Sequence, residues 1–195
     1  MIVKFFDDDI SGLKHDEKEV SIYLAGPTRW NVHLKSWRKE AVKILEVLEF
    51  NGTVFCPEYE GDRFVENYKE KDEWKEIALH SASTIVFWVS KNYPIKIYDS
   101  AEFAYWISKK PNSFFYGREV VNSNYEQTFF LNWIYEKELG IEPFNNLEDL
   151  MQEAVINATE NLVPNGCFCS SFMTSLRKEL NGRLINALKS KVADS

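Results

Sequence analysis

Short, continuously apolar runs alternate with amphipathic stretches along most of this chain. The two clearest runs are VSIYLAG (20–26) and TIVFWVS (84–90), and shorter ones occur in GTVFCPE and SFFYG. Runs of this kind are typical of strands that are buried on both faces of a parallel sheet. MIVKFF at the start of the chain indicates one more, so the pattern predicts a sheet of four to five strands.

Between these runs, apolar residues recur every three to four positions, as they do on one face of a helix. This spacing predicts helices at 34–50, 72–83, 99–110, 125–139, 146–158 and 170–191, with Gly182 interrupting the last one. In the third helix, Asp99 or Ser100 is placed to cap the free amide groups. In the fourth helix, Phe129 and Trp133 are expected to face inward, with Phe130 as a further candidate.

Strands and helices alternate regularly, and this order calls for a parallel sheet with helices on both of its faces. The length of 195 residues suits one sizeable core. We therefore expect an α/β domain over residues 1–160 and a helical C-terminal extension over residues 161–195.

Composition and motifs narrow the classes of function. The formal net charge of −7 argues against a nucleic-acid partner and against binding to a membrane surface. No apolar run approaches the length of a membrane span, and the N-terminus has no apolar leader. The three cysteines and three histidines lack the spacing of a disulfide framework or a metal site, and no phosphate-binding glycine motif occurs. We expect a cytoplasmic protein without a metal or an organic cofactor.

In an open α/β sheet, ligands bind beyond the carboxyl ends of the strands. The loops at those ends are predicted at 26–33, 57–70, 90–101 and 117–125. In the first loop, Gly26 lets the backbone approach a ligand and Thr28 offers a hydroxyl group. Arg29 could hold an anion, and Trp30 could stack on a planar ring. The alternative is a tight turn with a solvated Arg and a half-buried Trp.

Glu102 is the acidic residue of greatest interest near the third loop. We expect it in the first turn of the helix at 99–110, facing the edge where the loops meet. A carboxylate there can be favoured simply by the positive end of the helix dipole, so a role in helix stability alone is the alternative.

The ordered set IYLAGPTRW, SWRKEAVKIL, GTVFCPE, STIVFWV and SAEFAYW resembles the nucleoside 2-deoxyribosyltransferase-like superfamily over about residues 20–118. The resemblance implies a flavodoxin/Rossmann-like fold and cleavage or exchange of the N-glycosidic bond of a (deoxy)nucleoside or its 5′-monophosphate. The family nucleophile is a Glu at the position of Glu102. Its carboxylate traps the glycosidic carbon as a covalent ester when the base leaves, and water or another base then resolves the ester.

The resemblance also implies a substrate pocket and a homo-oligomer, because members of the superfamily often complete each other's sites. The substrate-binding residues it implies are Gly26, Pro27, Thr28, Arg29, Trp30, Asp99, Asn124 and Tyr125, with Asn122 nearby. Lys75 and Lys96 depart from the family pattern, since deoxyribosyltransferases have acids at about these positions.

Two functions are predicted as alternatives. One is an enzyme, a nucleoside deoxyribosyltransferase or a nucleoside or nucleotide N-glycosidase, that uses Glu102. The other is a non-catalytic module on the same fold that binds or senses a nucleotide. Lys75 and Lys96 favour the module, whereas GPTRW and Glu102 favour the enzyme.

Overall fold

Five parallel strands form a single sheet in the computed structural model, which describes residues 1–12, 20–29, 33–61, 71–120, 125–160 and 170–193. The strands are β1 (Ile2–Lys4), β2 (Ser21–Ala25), β3 (Thr53–Phe55), β4 (Thr84–Val89) and β5 (Phe114–Arg118). The helices are α1 (Trp37–Val47), α2 (Asp72–Ser81), α3 (Ile97–Lys109), α4 (Tyr125–Leu139), α5 (Leu147–Glu160) and α6 (Ser170–Ala193).

The strand order across the sheet is β1-β3-β2-β4-β5, and all neighbours are parallel. From β2 the chain moves outward to β3, and it then crosses back over β2 to reach β4. The order therefore reverses between β2 and β4, and their carboxyl ends border the crevice where sheets of this kind bind ligands. The predicted flavodoxin/Rossmann-like α/β fold is confirmed.

Each face of the sheet carries its own hydrophobic core, as expected for strands with continuous apolar runs. In β4, Phe87 packs toward α2, α3 and α4, whereas Trp88 packs toward α1, α5 and α6. α6 adds Leu180 to the second core and is continuous through Gly182, contrary to the expected interruption. No helix in the described part of the chain is both long and apolar enough to cross a bilayer.

α3 begins two residues earlier than the sequence suggested. Its N-cap is Lys96, whose backbone N–H donates to the Asp99 carboxylate over 2.8 Å. Asp99 therefore closes the first turn from inside the helix instead of capping it. Glu102 consequently lies in the second turn, so the expectation of a first-turn acid is wrong, and the helix dipole, which acts within the first turn, does not account for it.

The inward face of α4 also differs from the prediction. Thr128, Leu131, Asn132 and Tyr135 are buried, whereas Phe129, Phe130 and Trp133 are about half exposed. Asn132 is accommodated inside because its side-chain oxygen accepts hydrogen bonds from the Tyr116 hydroxyl at 2.9 Å and from Arg118 Nε at 3.1 Å. Satisfied polar groups can replace apolar ones in a core, so the aromatic spacing alone indicated the wrong face.

Candidate functional site

The first loop is packed tightly against β4 at the crevice. Gly26 has a φ of +116°, and a side-chain carbon at this position would collide with the backbone carbonyl of Trp88. Only glycine suits both the backbone angle and the close approach. This contact places Gly26 and Thr28 next to the end of β4.

A buried ion pair joins the first turn of α1 to the loop that follows β3. The Arg38 guanidinium donates from Nη1 to Glu58 Oε1 at 3.1 Å, and both side chains are at most 5% exposed. It also donates to the carbonyl oxygens of Leu24 at 2.8 Å and Gly26 at 2.6 Å. Neither residue was assigned a role from the sequence, although SWR lies in a predicted helix and CPE ends a predicted strand.

The loops that follow β2 and β3, together with helices α2 and α3, enclose a small cavity at the carboxyl edge of the sheet. Its volume is about 10 Å³, the size of one water molecule, so a nucleoside fits only if the walls move apart. Its walls include Tyr23, Gly26, Thr28, Lys75, Asp99 and Glu102, with Phe6, Arg38, Pro57 and Tyr98 completing them. Four residues predicted to share a site, namely Gly26, Thr28, Asp99 and Glu102, are thus brought together. Tyr23 was missed because it lies within the apolar run of β2.

Glu102 forms an ion pair across the cavity with Lys75 of α2. Lys75 Nζ lies 3.2 Å from Glu102 Oε2, and each side chain is about one-fifth exposed. From the sequence, Lys75 stood out only because deoxyribosyltransferases have an acid at about its position. In the structure, the Lys75 ammonium group is the counter-ion of the Glu102 carboxylate.

Asp99 adds a second carboxyl group to the same cavity. Burial raises the pKa of Asp99 above its ordinary value, the hydrogen bond from the Lys96 backbone opposes this, and the charge of Glu102 raises the pKa further. Two carboxyl groups with one nearby ammonium group are suited to hold and release a proton.

The Tyr23 hydroxyl is buried in the cavity wall and has no hydrogen-bond partner among the residues that the structure describes. Burial raises the pKa of Tyr23 well above its usual range, and the charge of Glu102 adds to the effect. The hydroxyl is therefore protonated and can donate a hydrogen bond. An unsatisfied buried hydroxyl costs about 1–3 kcal/mol, which a ligand atom in the cavity would offset.

The remaining predicted residues do not join this cavity in the described structure. The carbonyl of Pro27 accepts a hydrogen bond from Trp37 Nε1 at 3.1 Å. Arg29 is buried and lines a separate groove of about 900 Å³ beside α1 and α6. Trp30, Asn122 and Asn124 lie outside the described residues, as does the side chain of Tyr125 at the start of α4.

The other groups with reactive potential are poorly placed for chemistry. Burial raises the pKa of Cys56 to about 12, so its thiol stays protonated and is a weak nucleophile. Within the described ranges, no cluster of three or more His, Cys, Asp or Glu side chains could hold a metal ion. Among the acidic side chains that the structure describes, Asp99 and Glu102 line the cavity.

No protein-family model matches the chain, and a search of the curated proteins gives no match.

Proposed function

We propose that this protein cleaves or exchanges the N-glycosidic bond of a (deoxy)nucleoside or its 5′-monophosphate, with Glu102 as the nucleophile. The observation that carries the proposal is that Glu102, Asp99 and Tyr23 line one cavity. This cavity lies at the edge of the sheet where the strand order reverses between β2 and β4. The three side chains offer a carboxylate, a second carboxyl group with a raised pKa and a buried hydroxyl donor.

In the first step, a Glu102 oxygen forms a bond to the anomeric carbon while the bond from that carbon to the base nitrogen breaks. The bonding electrons leave with the base, which takes up a proton. Asp99 is our candidate for the proton donor, because its raised pKa keeps a larger share of the carboxyl protonated. In the second step, water or another base attacks the anomeric carbon, the bond from that carbon to the Glu102 oxygen breaks with its electrons left on the carboxylate, and the proton lost by the attacking group returns to Asp99.

Two neighbouring hydroxyl groups, those of Tyr23 and Thr28, would assist the reaction. The Tyr23 hydroxyl can donate a hydrogen bond to a sugar oxygen or to a carboxylate oxygen in the cavity. Lys75 Nζ lies 3.2 Å from Glu102 and would have to move away from the attacking oxygen when the substrate binds. Thr28 adds a hydroxyl group to the same wall. No cofactor takes part in the scheme.

A non-catalytic module that binds a nucleotide is the second candidate. The ion pair with Lys75 favours it, because a neutralised carboxylate attacks carbon less readily. Both candidates use the same cavity and a small-molecule ligand. They differ in whether Glu102 forms a bond.

Cytoplasmic location and self-association belong to the same proposal. A free, buried Cys56 suits a reducing compartment, although it does not require one. A second copy of the chain is the expected macromolecular partner.

The deciding experiment is a chromatographic screen with nucleosides and 5′-monophosphates, with and without a free acceptor base. We expect free base or an exchanged nucleoside from the wild type, and a loss of at least about 10³-fold in rate for Glu102→Gln. Glu138→Gln, an exposed acid on α4, is the matched control and should keep full activity.

Three other outcomes would change the assignment. Equal turnover by the wild type and Glu102→Gln would exclude Glu102 as the nucleophile. If neither protein releases free base or exchanged nucleoside but a nucleotide still raises the melting temperature, the binding module would be favoured. The absence of both turnover and any change in melting temperature with a nucleotide would contradict both candidates.

A further inference from the structure

Two cationic side chains, Arg38 and Lys75, line the cavity, and they differ in their freedom to change partners. The Arg38 guanidinium donates to Glu58 and to two backbone carbonyl oxygens, and its side chain is 1% exposed. Lys75 is about one-fifth exposed and is paired across the cavity with Glu102. Because a lysine carries its charge on a flexible four-carbon stem, Lys75 is the cation that a ligand can recruit.

The ion pair of Lys75 and Glu102 opposes both the entry of a ligand and the attack of the carboxylate. It joins α2 to α3 across a cavity of about 10 Å³, which is far too small for a nucleoside. It also engages the carboxylate that attacks the anomeric carbon in the proposed reaction. The pair must therefore break before the first bond can form.

Breaking this pair leaves the Lys75 ammonium group without an anion, and a partly buried charge without a partner is costly. Asp99, the other carboxyl group of the cavity wall, does not replace Glu102, because the proposed reaction requires it to hold the proton for the departing base. A neutral nucleoside brings no anion either. A phosphate monoester does, with a charge of about −1.5 to −2 at pH 7.

We propose that the substrate is the 5′-monophosphate and not the nucleoside, and that its phosphate group takes Lys75 away from Glu102. This inference rests on the proposed function. The phosphate accepts hydrogen bonds from the ammonium group, which binds it as a point charge. The Glu102 carboxylate is then free beside the anomeric carbon. A neutral nucleoside, in contrast, meets a carboxylate that is still paired.

Two further lysines place positive charge beside the cavity. Lys71 Nζ lies 5.8 Å from the centroid of the Phe6 ring, and Lys96 Nζ lies 5.7 Å from the centroid of the Tyr98 ring. Both rings belong to the cavity wall. Since the chain as a whole carries a net charge of −7, these lysines supply local positive charge that draws an anion toward Lys75.

Binding affinities test the inference without any turnover. Calorimetry would compare the common ribo- and deoxyribonucleosides, each with its own 5′-monophosphate. We expect the wild type to bind the monophosphate at least about 10-fold more tightly than the matching nucleoside. Lys75→Gln should bind the two about equally, and Lys75→Arg should keep most of the preference. Lys109→Gln, which removes an exposed lysine from the last turn of α3, is the matched control and should keep all of it.

Glu102→Gln gives a second test that a purely structural role of Lys75 would not affect. The phosphate no longer competes with a carboxylate for Lys75 in this variant. We therefore expect it to bind the monophosphate about 10-fold more tightly than the wild type does, with little change for the nucleoside. In turnover, the wild type should favour the monophosphate by at least about 10²-fold in kcat/KM, and Lys75→Gln should bring this ratio close to one.

Other outcomes separate this inference from the proposed function. Equal affinity and equal turnover for nucleoside and monophosphate would overturn the inference and leave the proposed function intact. A preference for the monophosphate that persists in Lys75→Gln would also overturn it, because another cation would then hold the phosphate. The expected affinities without any turnover would support the role of Lys75 in binding and contradict the proposed catalysis. If Lys75→Gln fails to fold, as judged by circular dichroism, Glu102→Gln decides: an unchanged or weaker affinity for the monophosphate would overturn the inference.

Discussion

Charged side chains have two distinct roles around the cavity. Arg38 and Glu58 are almost fully buried and tie α1 and the loop after β3 to the end of β2, whereas Lys75 and Glu102 are partly exposed and face the cavity itself. Removing one member of the buried pair would strand a charge in the core, which is costly. The exposed pair is cheaper to break, so it is the one that can rearrange around a ligand.

Lys75→Met should lower the free energy of unfolding by about 1 kcal/mol, because it leaves the Glu102 carboxylate near Asp99 without its cation. Lys75→Arg should retain most of the stability. Urea unfolding measures both variants. The pair is not coupled if Lys75→Met costs the same amount in a Glu102→Gln background.

The Cys56 thiol should be unreactive in the folded protein at pH 8 and reactive after unfolding, as peptide mapping after alkylation would show. Its pKa is about 12 in the fold against 9.0 as a free side chain. The folded state therefore keeps its proton while the unfolded state loses it, so this contribution to stability is complete below pH 9. It should fall by up to about 1.4 kcal/mol per pH unit from pH 9 to 12. Rapid alkylation of native Cys56 would contradict the burial.

Among the strands and helices, those whose residues are buried on every side were the ones predicted most clearly from the sequence. β2 and β4 are buried on both faces, so their apolar runs predicted them without ambiguity. α4 was placed correctly along the chain but with the wrong face inward, since Thr128 and Asn132 are buried there. Asn132 makes hydrogen bonds that periodicity does not register. The start of α3 was displaced because Asp99 closes the helix from its third position.

Asn132→Ala should lower the free energy of unfolding by about 2 kcal/mol. The change removes the acceptor that Tyr116 and Arg118 share, and it leaves the buried Tyr116 hydroxyl without that bond. Glu136→Ala, an exposed position one turn further along α4, should stay within about 0.5 kcal/mol of the wild type. Equal effects in thermal unfolding would show that the Asn132 bonds contribute little.

For the molecule as a whole, the alternation of elements predicted a parallel α/β sheet but not the order of its strands. The order decides which loops meet, and it depends on contacts between residues far apart in sequence. The cavity therefore unites Gly26, Thr28, Asp99 and Glu102 as predicted, while Arg29 lines another groove. The partnership of Lys75 with Glu102 was equally hidden, because it joins two helices separated by a strand.

The buried pair of Arg38 and Glu58 also bears on how this protein could be redesigned. It fixes the sheet side of the cavity, including the Gly26 carbonyl, whereas the helix side is joined across α2 and α3 by the Lys75–Glu102 bridge. A mutant library meant to change what the cavity accepts should therefore vary Lys75, Tyr98 and their neighbours. Substitutions at Arg38 or Glu58 would leave a charge buried without its partner and would yield unfolded variants.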